Sequence, residues 1–206
     1  MLFCLPGFNQ FNMHKRAYYF VNAITLYRLV AAPLMVFLLI YNRPDLFKWM
    51  IGISFFTDVI DGYFARKFNV ASIAGAKLDS IADDLTIVVA MAAVFVFKTE
   101  FVKEQSIIFI CLFALLIIQT IYALFRYGKI SSFHTYSAKF AAILQGSFFI
   151  LLFFLPEPLY PLFYIAAVVT GVELVEELLI THFLPAWETD VKGLYWVLKR
   201  RDKAGT

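Results

Sequence analysis

The chain has 206 residues, of which 62% are hydrophobic and 16% are charged, and its formal net charge is +3. Soluble domains carry about 45–50% apolar and about 25% charged residues. The chain therefore has too few polar side chains to cover an ordinary soluble globule, and it is too hydrophobic to be disordered. Its two cysteines, Cys4 and Cys111, are expected to be free thiols rather than a disulfide framework. Most of the chain is expected to lie in lipid.

Six long apolar stretches follow one another along the chain, and each has roughly the 20 residues that a membrane-spanning helix needs. They cover residues 20–41, 45–64, 75–97, 105–126, 138–155 and 159–184. Short polar breaks, such as residues 98–104, separate them. The apolar runs are continuous, whereas the strands of a membrane β-barrel alternate between apolar and polar residues. The sequence therefore predicts an all-α integral membrane protein, a six-transmembrane-helix bundle that forms a single domain over residues 1–206.

Polar segments flank the predicted spans at both ends of the chain. Residues 1–19 are predicted to form a cytoplasmic or interfacial segment with a short helix over residues 9–17. The apolar run after Lys15-Arg16 is longer than that of a cleaved signal peptide, so we expect this segment to be retained. Residues 185–206 form a basic tail whose aromatic side chains suit a membrane interface.

Lysines and arginines are divided unequally between the two sides of the predicted membrane. One side carries Lys15, Arg16, Arg66, Lys67, Arg126, Lys129, Lys192, Lys199, Arg200, Arg201 and Lys203. The other side carries Arg43, Lys48, Lys98 and Lys103. Because the basic side of a membrane protein usually faces the cytoplasm, we expect both termini in the cytoplasm and the protein in the cytoplasmic (inner) membrane.

Carboxylates occur where the composition least favours them. Eight of the 15 lie inside the predicted spans, namely Asp58, Asp61, Asp79, Asp83, Asp84, Glu173, Glu176 and Glu177. A carboxylate at the centre of a bilayer costs at least about 2.5–3.5 kcal/mol on insertion scales. Such acids need compensation from a metal, a cationic side chain or a water-filled cavity.

Four of these acids are spaced to meet. Asp58 and Asp61 share one helix face, as do Asp79 and Asp83, and a short loop joins their two spans as antiparallel neighbours. Four converging carboxylates repel one another unless divalent cations lie among them, and oxygen ligands suit Mg²⁺ or Mn²⁺. Two such ions would suit a phosphoryl centre. The alternative is a set of separate ion pairs with neighbouring cations, namely Arg66 and Lys77.

The residues between and around the aspartates complete a longer pattern. It reads Asp58-x-x-Asp61-Gly62-x-x-Ala65-Arg66, eight residues, then Gly75-x-x-x-Asp79-x-x-x-Asp83. This resembles the signature of the CDP-alcohol phosphotransferase family (CDP-alcohol phosphatidyltransferases, class I) at every specified position and spacing. The resemblance implies an enzyme that cleaves the pyrophosphate of a CDP-alcohol, transfers the phosphoryl-bearing part to a second alcohol and releases CMP.

The resemblance also implies roles for the residues of the pattern. Asp58, Asp61 and Asp79 would bind metal, and Asp83 would complete the metal site and act as general base on the acceptor hydroxyl. The cytidine nucleotide would be held by Gly62, Ala65, Arg66 and Gly75. Small residues let a nucleotide lie against the helix backbone, and an arginine offers a planar fork of donors to phosphate oxygens. Helix packing by the small residues and a positive loop charge are the alternatives.

Polar residues in the first span resemble a stretch that opens many family members. Asn22, Thr25 and Arg28 recur every three residues, and Asn22 and Thr25 are interpreted as lining the nucleotide site. A polar stripe that bonds to neighbouring helices is the alternative. Arg28 is costly in lipid and needs an anionic partner, which is either an aspartate or a substrate phosphate.

The acceptor is less well defined by the sequence. Lys139 and His134, together with Arg28, are candidates for binding an acceptor phosphate, whereas a lysine reaching lipid headgroups is the alternative for Lys139. The chain is most similar to phosphatidylglycerophosphate synthases, for which the acceptor is glycerol 3-phosphate. Inositol or inositol phosphate, serine, phosphatidylglycerol and aminoalcohols remain open, because Asp79-Ser80-Ile81-Ala82-Asp83-Asp84 departs from the Asp-Pro-x-Ala-Asp-Lys run of those synthases.

The expected partners are CDP-diacylglycerol, a polar alcohol and the lipid bilayer, with no nucleic acid. A homodimer is implied by the resemblance. Glu173, Glu176 and Glu177 form one acidic face that is interpreted as balancing nearby cations. A cation transporter is the hypothesis from another class, but it would not explain small residues and an arginine at fixed offsets from the aspartates.

Overall fold

The computed structural model describes residues 7–68, 73–129, 133, 135–188 and 191–204. Within the helices, side chains are described except at residues 7–21, 59, 61–62, 64–68, 73–74, 76–77, 80 and 202–204. Over this part of the chain every regular element is an α-helix. In chain order they are α1 (Gly7–Ile40), α2 (Pro44–Phe68), α3 (Ile73–Phe97), α4 (Thr99–Glu104), α5 (Ser106–Tyr127), α6 (Tyr136–Phe154), α7 (Tyr160–Phe183) and α8 (Leu194–Ala204).

The helices agree with the all-α prediction and differ from it at three places. The short helix predicted over residues 9–17 is the beginning of α1, which continues without a break to Ile40. The polar break at residues 98–104 contains α4, which is only six residues long. The tail contains α8, an 11-residue helix that was not expected from the sequence.

Three stretches of helix among the described residues are long and apolar enough to cross a membrane. They are Asn22–Ile40 in α1, Ser106–Tyr127, which is all of α5, and Tyr136–Phe154, which is all of α6. The protein is therefore an α-helical membrane protein. Each of the six predicted spans falls within or close to one of the long helices α1, α2, α3, α5, α6 and α7, and three of these six helices contain the stretches that qualify as spans among the described residues.

The first of two compact units covers Met1–Thr99, and α1 packs against both α2 and α3 within it. The buried surface of α1 includes the small residues Ala31 and Ala32, and that of α3 includes Ala90 and Ala93. Small side chains let membrane helices approach closely enough for van der Waals packing. One turn before Ala31 on α1, at Arg28, this packing brings side chains of all three helices together.

The second unit covers Glu100–Thr206, and α7 packs against α5, α6 and α8 within it. Aromatic rings fill one end of this unit, where the ring centroids of Phe101 and Phe163 lie 4.9 Å apart. The other end holds a cluster of buried hydrophobic side chains, which are Phe133, Ile180, Leu184, Val191 and Val197. At this end α5 terminates at Gly128, whose φ of 65° is left-handed and favours glycine.

Candidate metal centre

Three of the four motif aspartates meet in the first unit. Asp58 is on α2, and Asp79 and Asp83 are one turn apart on α3. One carboxylate oxygen from each residue lies within 4.8 Å of the others. The aspartates are near the end of α2 and the beginning of α3, so the antiparallel arrangement brings them to the same level. The structure thus brings together three of the four aspartates that the spacing predicts to converge, while the side chain of Asp61 lies outside the described residues.

Arg28 of α1 enters the same cluster. Its guanidinium donates to Asp58 Oδ1 at 2.7 Å and also contacts Oδ1 of Asp79 and Oδ1 of Asp83. The Arg28 side chain is 1% exposed, whereas the three aspartates are 36–39% exposed. Of the two partners left open for Arg28, an aspartate or a substrate phosphate, the structure shows the aspartates.

The charge of this cluster favours a further cation. Among the described side chains, the Arg28 guanidinium offsets one of the three carboxylate charges, and the partly exposed carboxylates leave the group accessible to a ligand. Oxygen donors that are hard, anionic and within a few ångströms of one another are the donor set that Mg²⁺ and Mn²⁺ prefer. The Asp58, Asp79 and Asp83 cluster therefore fits a divalent metal ion by the chemistry and spacing of its donors.

The other predicted residues of the first unit are on the same three helices, α1, α2 and α3. On α1, Thr25 is buried one turn before Arg28, and Asn22 is half-buried one further turn away. Gly75 lies one turn before Asp79 on α3 and is half-buried. The remaining motif residues are on α2 but their side chains lie outside the described residues, and they are Asp61, Gly62, Ala65 and Arg66.

Two residues of the second unit, Lys139 and His134, are predicted to bind an acceptor phosphate, and the structure describes only the first of them. Lys139 lies in the first turn of α6, is exposed, and places its Nζ 5.8 Å from the centre of the Tyr136 ring. His134 lies outside the described residues.

Two of the three glutamates of α7 accept hydrogen bonds from neutral donors that sequence reasoning missed. Glu176 accepts hydrogen bonds from the Ser137 hydroxyl and, at 2.8 Å, from the backbone N–H of Leu194. Glu177 accepts a hydrogen bond of 2.7 Å from Gln119 Nε2. These contacts give Glu176 a structural role between the beginnings of α6 and α8, whereas the sequence analysis interpreted the acidic face as balancing cations.

Comparison with known proteins agrees with the motif. A stretch of 62 residues is 45% identical to a cardiolipin synthase (CMP-forming)/mitochondrial hydrolase fusion protein of Schizosaccharomyces pombe, covering 30% of this chain and 10% of that protein. A probable CDP-diacylglycerol–inositol 3-phosphatidyltransferase 2 of Arabidopsis thaliana is 32% identical over 117 residues, which cover 55% of this chain and 50% of that protein.

A third relative carries a different acceptor in its name. The CDP-diacylglycerol–glycerol-3-phosphate 3-phosphatidyltransferase of Cereibacter sphaeroides is 40% identical over 77 residues, covering 35% of each protein. The chain thus spans half or less of the length of these curated relatives. No solved structure matches it. The profile of the CDP-alcohol phosphatidyltransferase family matches residues 18–176, so the chain belongs to the CDP-alcohol phosphatidyltransferase family.

Proposed function

We propose that this chain transfers the phosphatidyl group of CDP-diacylglycerol to a polar alcohol and releases CMP. The observation that carries the proposal is the meeting of Asp58, Asp79 and Asp83, three residues of the family motif from two helices, within 4.8 Å of one another. A chain that belongs to the family and gathers its motif carboxylates in this way has the donor set that phosphoryl transfer requires.

The four motif aspartates have two proposed roles, metal binding and proton transfer. Asp58, Asp61, Asp79 and Asp83 would hold one or two ions of Mg²⁺ or Mn²⁺. When bound, the metal polarises the pyrophosphate oxygens and offsets charge that develops on the leaving CMP. Asp83 takes the proton of the acceptor hydroxyl as its oxygen bonds to the phosphatidyl phosphorus. The bond from that phosphorus to the bridging oxygen breaks, and the electron pair leaves with CMP.

The nucleotide would lie beside α1, near the end of α2 and the beginning of α3. Asn22 and Thr25 precede Arg28 along α1 at intervals of about one turn, so the three residues share one side of the helix. Glycine at position 75 leaves room beside the backbone of α3, one turn from Asp79. The proposed nucleotide-binding residues are Asn22, Thr25, Gly62, Ala65, Arg66 and Gly75.

Glycerol 3-phosphate is the proposed acceptor, and inositol is the main alternative. Relatives with each of these acceptors in their names match parts of the chain at comparable identity, 40% over 77 residues and 38% over 66 residues. An acceptor that carries a phosphate would need a cation, for which Lys139, His134 and Arg28 are the candidates. Serine, phosphatidylglycerol and aminoalcohol acceptors complete the set.

The proposal includes an arrangement in the membrane. The six longest helices would each cross the bilayer, with both termini and the metal centre at the cytoplasmic side. Lipid substrate would enter sideways between helices, while the polar alcohol would arrive from the cytoplasm. A homodimer completes the proposed arrangement.

The test uses purified full-length protein in detergent with CDP-diacylglycerol and a panel of alcohols. Release of CMP that requires both a divalent ion and one of the alcohols supports the proposal, and mass spectrometry of the new lipid identifies the acceptor. Asp83→Asn should abolish the release of CMP. Asp84→Asn is its matched control, because Asp84 is the exposed neighbour on α3 and is outside the cluster. Absence of turnover with every alcohol, together with ion flux through vesicles, would refute the enzyme and favour a cation transporter.

A further inference from the structure

Helix α8 is attached to the end of α7 by an apolar inner side. Val197 of α8 is 4% exposed and belongs to the buried cluster with Ile180, Leu184 and Val191. Leu194 packs against the same cluster. The helix is thus part of the folded second unit rather than a free extension, and its orientation on α7 is fixed by packing.

Two hydrogen bonds fix the beginning of α8 beside α6 and α7. The backbone N–H of Leu194 donates to Glu176 Oε1 at 2.8 Å, and the N–H of Tyr136 donates to the Lys192 carbonyl at 3.3 Å. A carboxylate at the N-terminus of a helix is favoured by the helix dipole. Gly193 permits the approach, because it has a φ of 152° and a Cβ there would lie 2.9 Å from Glu176 Oε1.

The place of attachment is the end of a membrane-spanning stretch. Tyr136 is the first residue of α6, which is long and apolar enough to cross a membrane. The Trp196 ring lies 5.6 Å from the Tyr136 ring, and both side chains are exposed. Lipid headgroups lie at the ends of membrane spans, so Trp196 is at headgroup level beside the lipid-facing surface of α6.

The outer side of α8 combines exposed apolar side chains with positive charge. Tyr195 is 64% exposed, and Leu198 is also exposed. Lys199 Nζ lies 5.7 Å from the centre of the Tyr195 ring. Arg201 is exposed at the border between α8 and α7, where its guanidinium lies 5.5 Å from the centre of the Phe183 ring. Aromatic rings that carry cations on their faces are typical of the boundary between acyl chains and anionic headgroups.

We propose that α8 is an interfacial helix that binds anionic lipid headgroups in the leaflet at the Tyr136 end of α6. Trp196, Tyr195 and Leu198 enter the acyl boundary, while Lys199 and Arg201 pair with lipid phosphates. The membrane supplies both the apolar and the anionic partner at this level, so one occupant satisfies the whole outer side. The proposal rests on the membrane position of α6 and is independent of the proposed reaction.

The experiment uses the full chain with Trp196 as its single tryptophan, made by Trp49→Phe and Trp187→Phe. The protein is reconstituted in an equimolar mixture of phosphatidylcholine and phosphatidylglycerol, and either lipid is replaced in turn by its analogue brominated near the headgroup. We expect stronger quenching of Trp196 fluorescence by brominated phosphatidylglycerol than by brominated phosphatidylcholine. Salt should reduce the difference, because it screens exposed charges.

Charge variants decide between headgroup recognition and simple burial of the tryptophan. Lys199→Gln with Arg201→Gln should reduce the lipid preference by about fivefold per removed charge. Lys48→Gln with Lys103→Gln is the matched control, since it removes the same charge from lysines paired with Asp45 and Glu100, and it should retain the preference. Lys199→Arg with Arg201→Lys should retain it as well and shows that charge is what matters.

Three outcomes would overturn the proposal. Negligible quenching by both brominated lipids would place α8 in water. Equal quenching by both, unchanged in the glutamine variant, would mean burial without recognition of anionic lipid. Quenching that falls as protein density in the membrane rises, with crosslinking of α8 between copies, would assign the outer side of the helix to a second copy of the chain.

Discussion

Arg28→Met tests whether the three aspartates depend on one buried cation. Methionine keeps much of the length of the arginine side chain but removes its charge and its donors to Asp58, Asp79 and Asp83. The carboxylates then lie within 4.8 Å of one another without the guanidinium between them. We expect the free energy of unfolding of the chelator-treated protein to fall.

The magnitude follows from the exposure of the two partners. Breaking a fully buried ion pair costs about 3–5 kcal/mol, whereas an exposed pair is worth about 0–1 kcal/mol. Arg28 is 1% exposed, but each aspartate is 36–39% exposed, so water screens part of the interaction. An intermediate loss of about 2–3 kcal/mol corresponds to a fall in Tm of about 4–12 °C for a chain of this size.

The assay is a thermal melt in detergent with EDTA, repeated with Mg²⁺ or Mn²⁺. Arg126→Met is the matched control, because Arg126 donates to a backbone carbonyl, that of Leu184, rather than to carboxylates. The metal should raise the Tm of Arg28→Met more than that of the parent, since the variant has more unbalanced negative charge. Adding Asp79→Asn should stabilise Arg28→Met but destabilise the parent. The electrostatic reasoning is wrong if Arg28→Met has the same Tm as Arg126→Met. It is also wrong if Asp79→Asn changes the Tm in the same direction in the parent and in Arg28→Met.

The remaining predictions separate catalysis from structure. Asp83→Asn should lower kcat by about 10²–10⁴-fold, the usual contribution of a general base, while binding of CDP-diacylglycerol persists in a calorimetric titration; retained turnover would remove Asp83 from that role. Chelation with EDTA should abolish CMP release, and Mg²⁺ or Mn²⁺ should restore it; full activity in EDTA would contradict the metal assignment. Glu176→Gln should loosen α8 by about 1–3 kcal/mol, because the amide cannot accept both hydrogen bonds, and hydrogen exchange at the Leu194 N–H should rise; unchanged exchange would mean that Glu176 does not anchor the helix.

The convergence of the aspartates was predictable because it depends on local rules. Positions three and four residues apart share a helix face, and a short loop makes consecutive helices neighbours. Those rules bring Asp58 to the level of Asp79 and Asp83 before any long-range packing is known. The partner of Arg28 was not predictable to the same degree, because it depends on how α1 packs against α2 and α3. Spacing within the first span shows only that Arg28 needs an anion.

Helix α8 and the hydrogen bond from its Leu194 N–H to Glu176 could not be predicted from local sequence patterns. The carboxylate that accepts the Leu194 N–H is 18 residues away along the chain, so no capping motif appears beside the helix. Gly193 is the local sign, since a glycine before a helix permits a backbone conformation and an approach that other residues resist. Similarly, α4 has six residues, too few for a hydrophobic period to distinguish it from a polar loop.

The acids within the apolar helices fall into two physical classes, and this separates their functions. Within the part of the chain whose side chains are described, Asp58, Asp79 and Asp83 face one another and the Arg28 guanidinium, so their cluster retains negative charge for a further cation. Glu176 instead accepts hydrogen bonds from neutral donors that belong to the beginnings of two helices. A neutral amide at position 83 should therefore impair the reaction and leave α8 in place, whereas a neutral amide at position 176 should loosen α8 and leave the metal dependence of CMP release intact. Finding both effects in either variant would show that the two groups of acids act as one network.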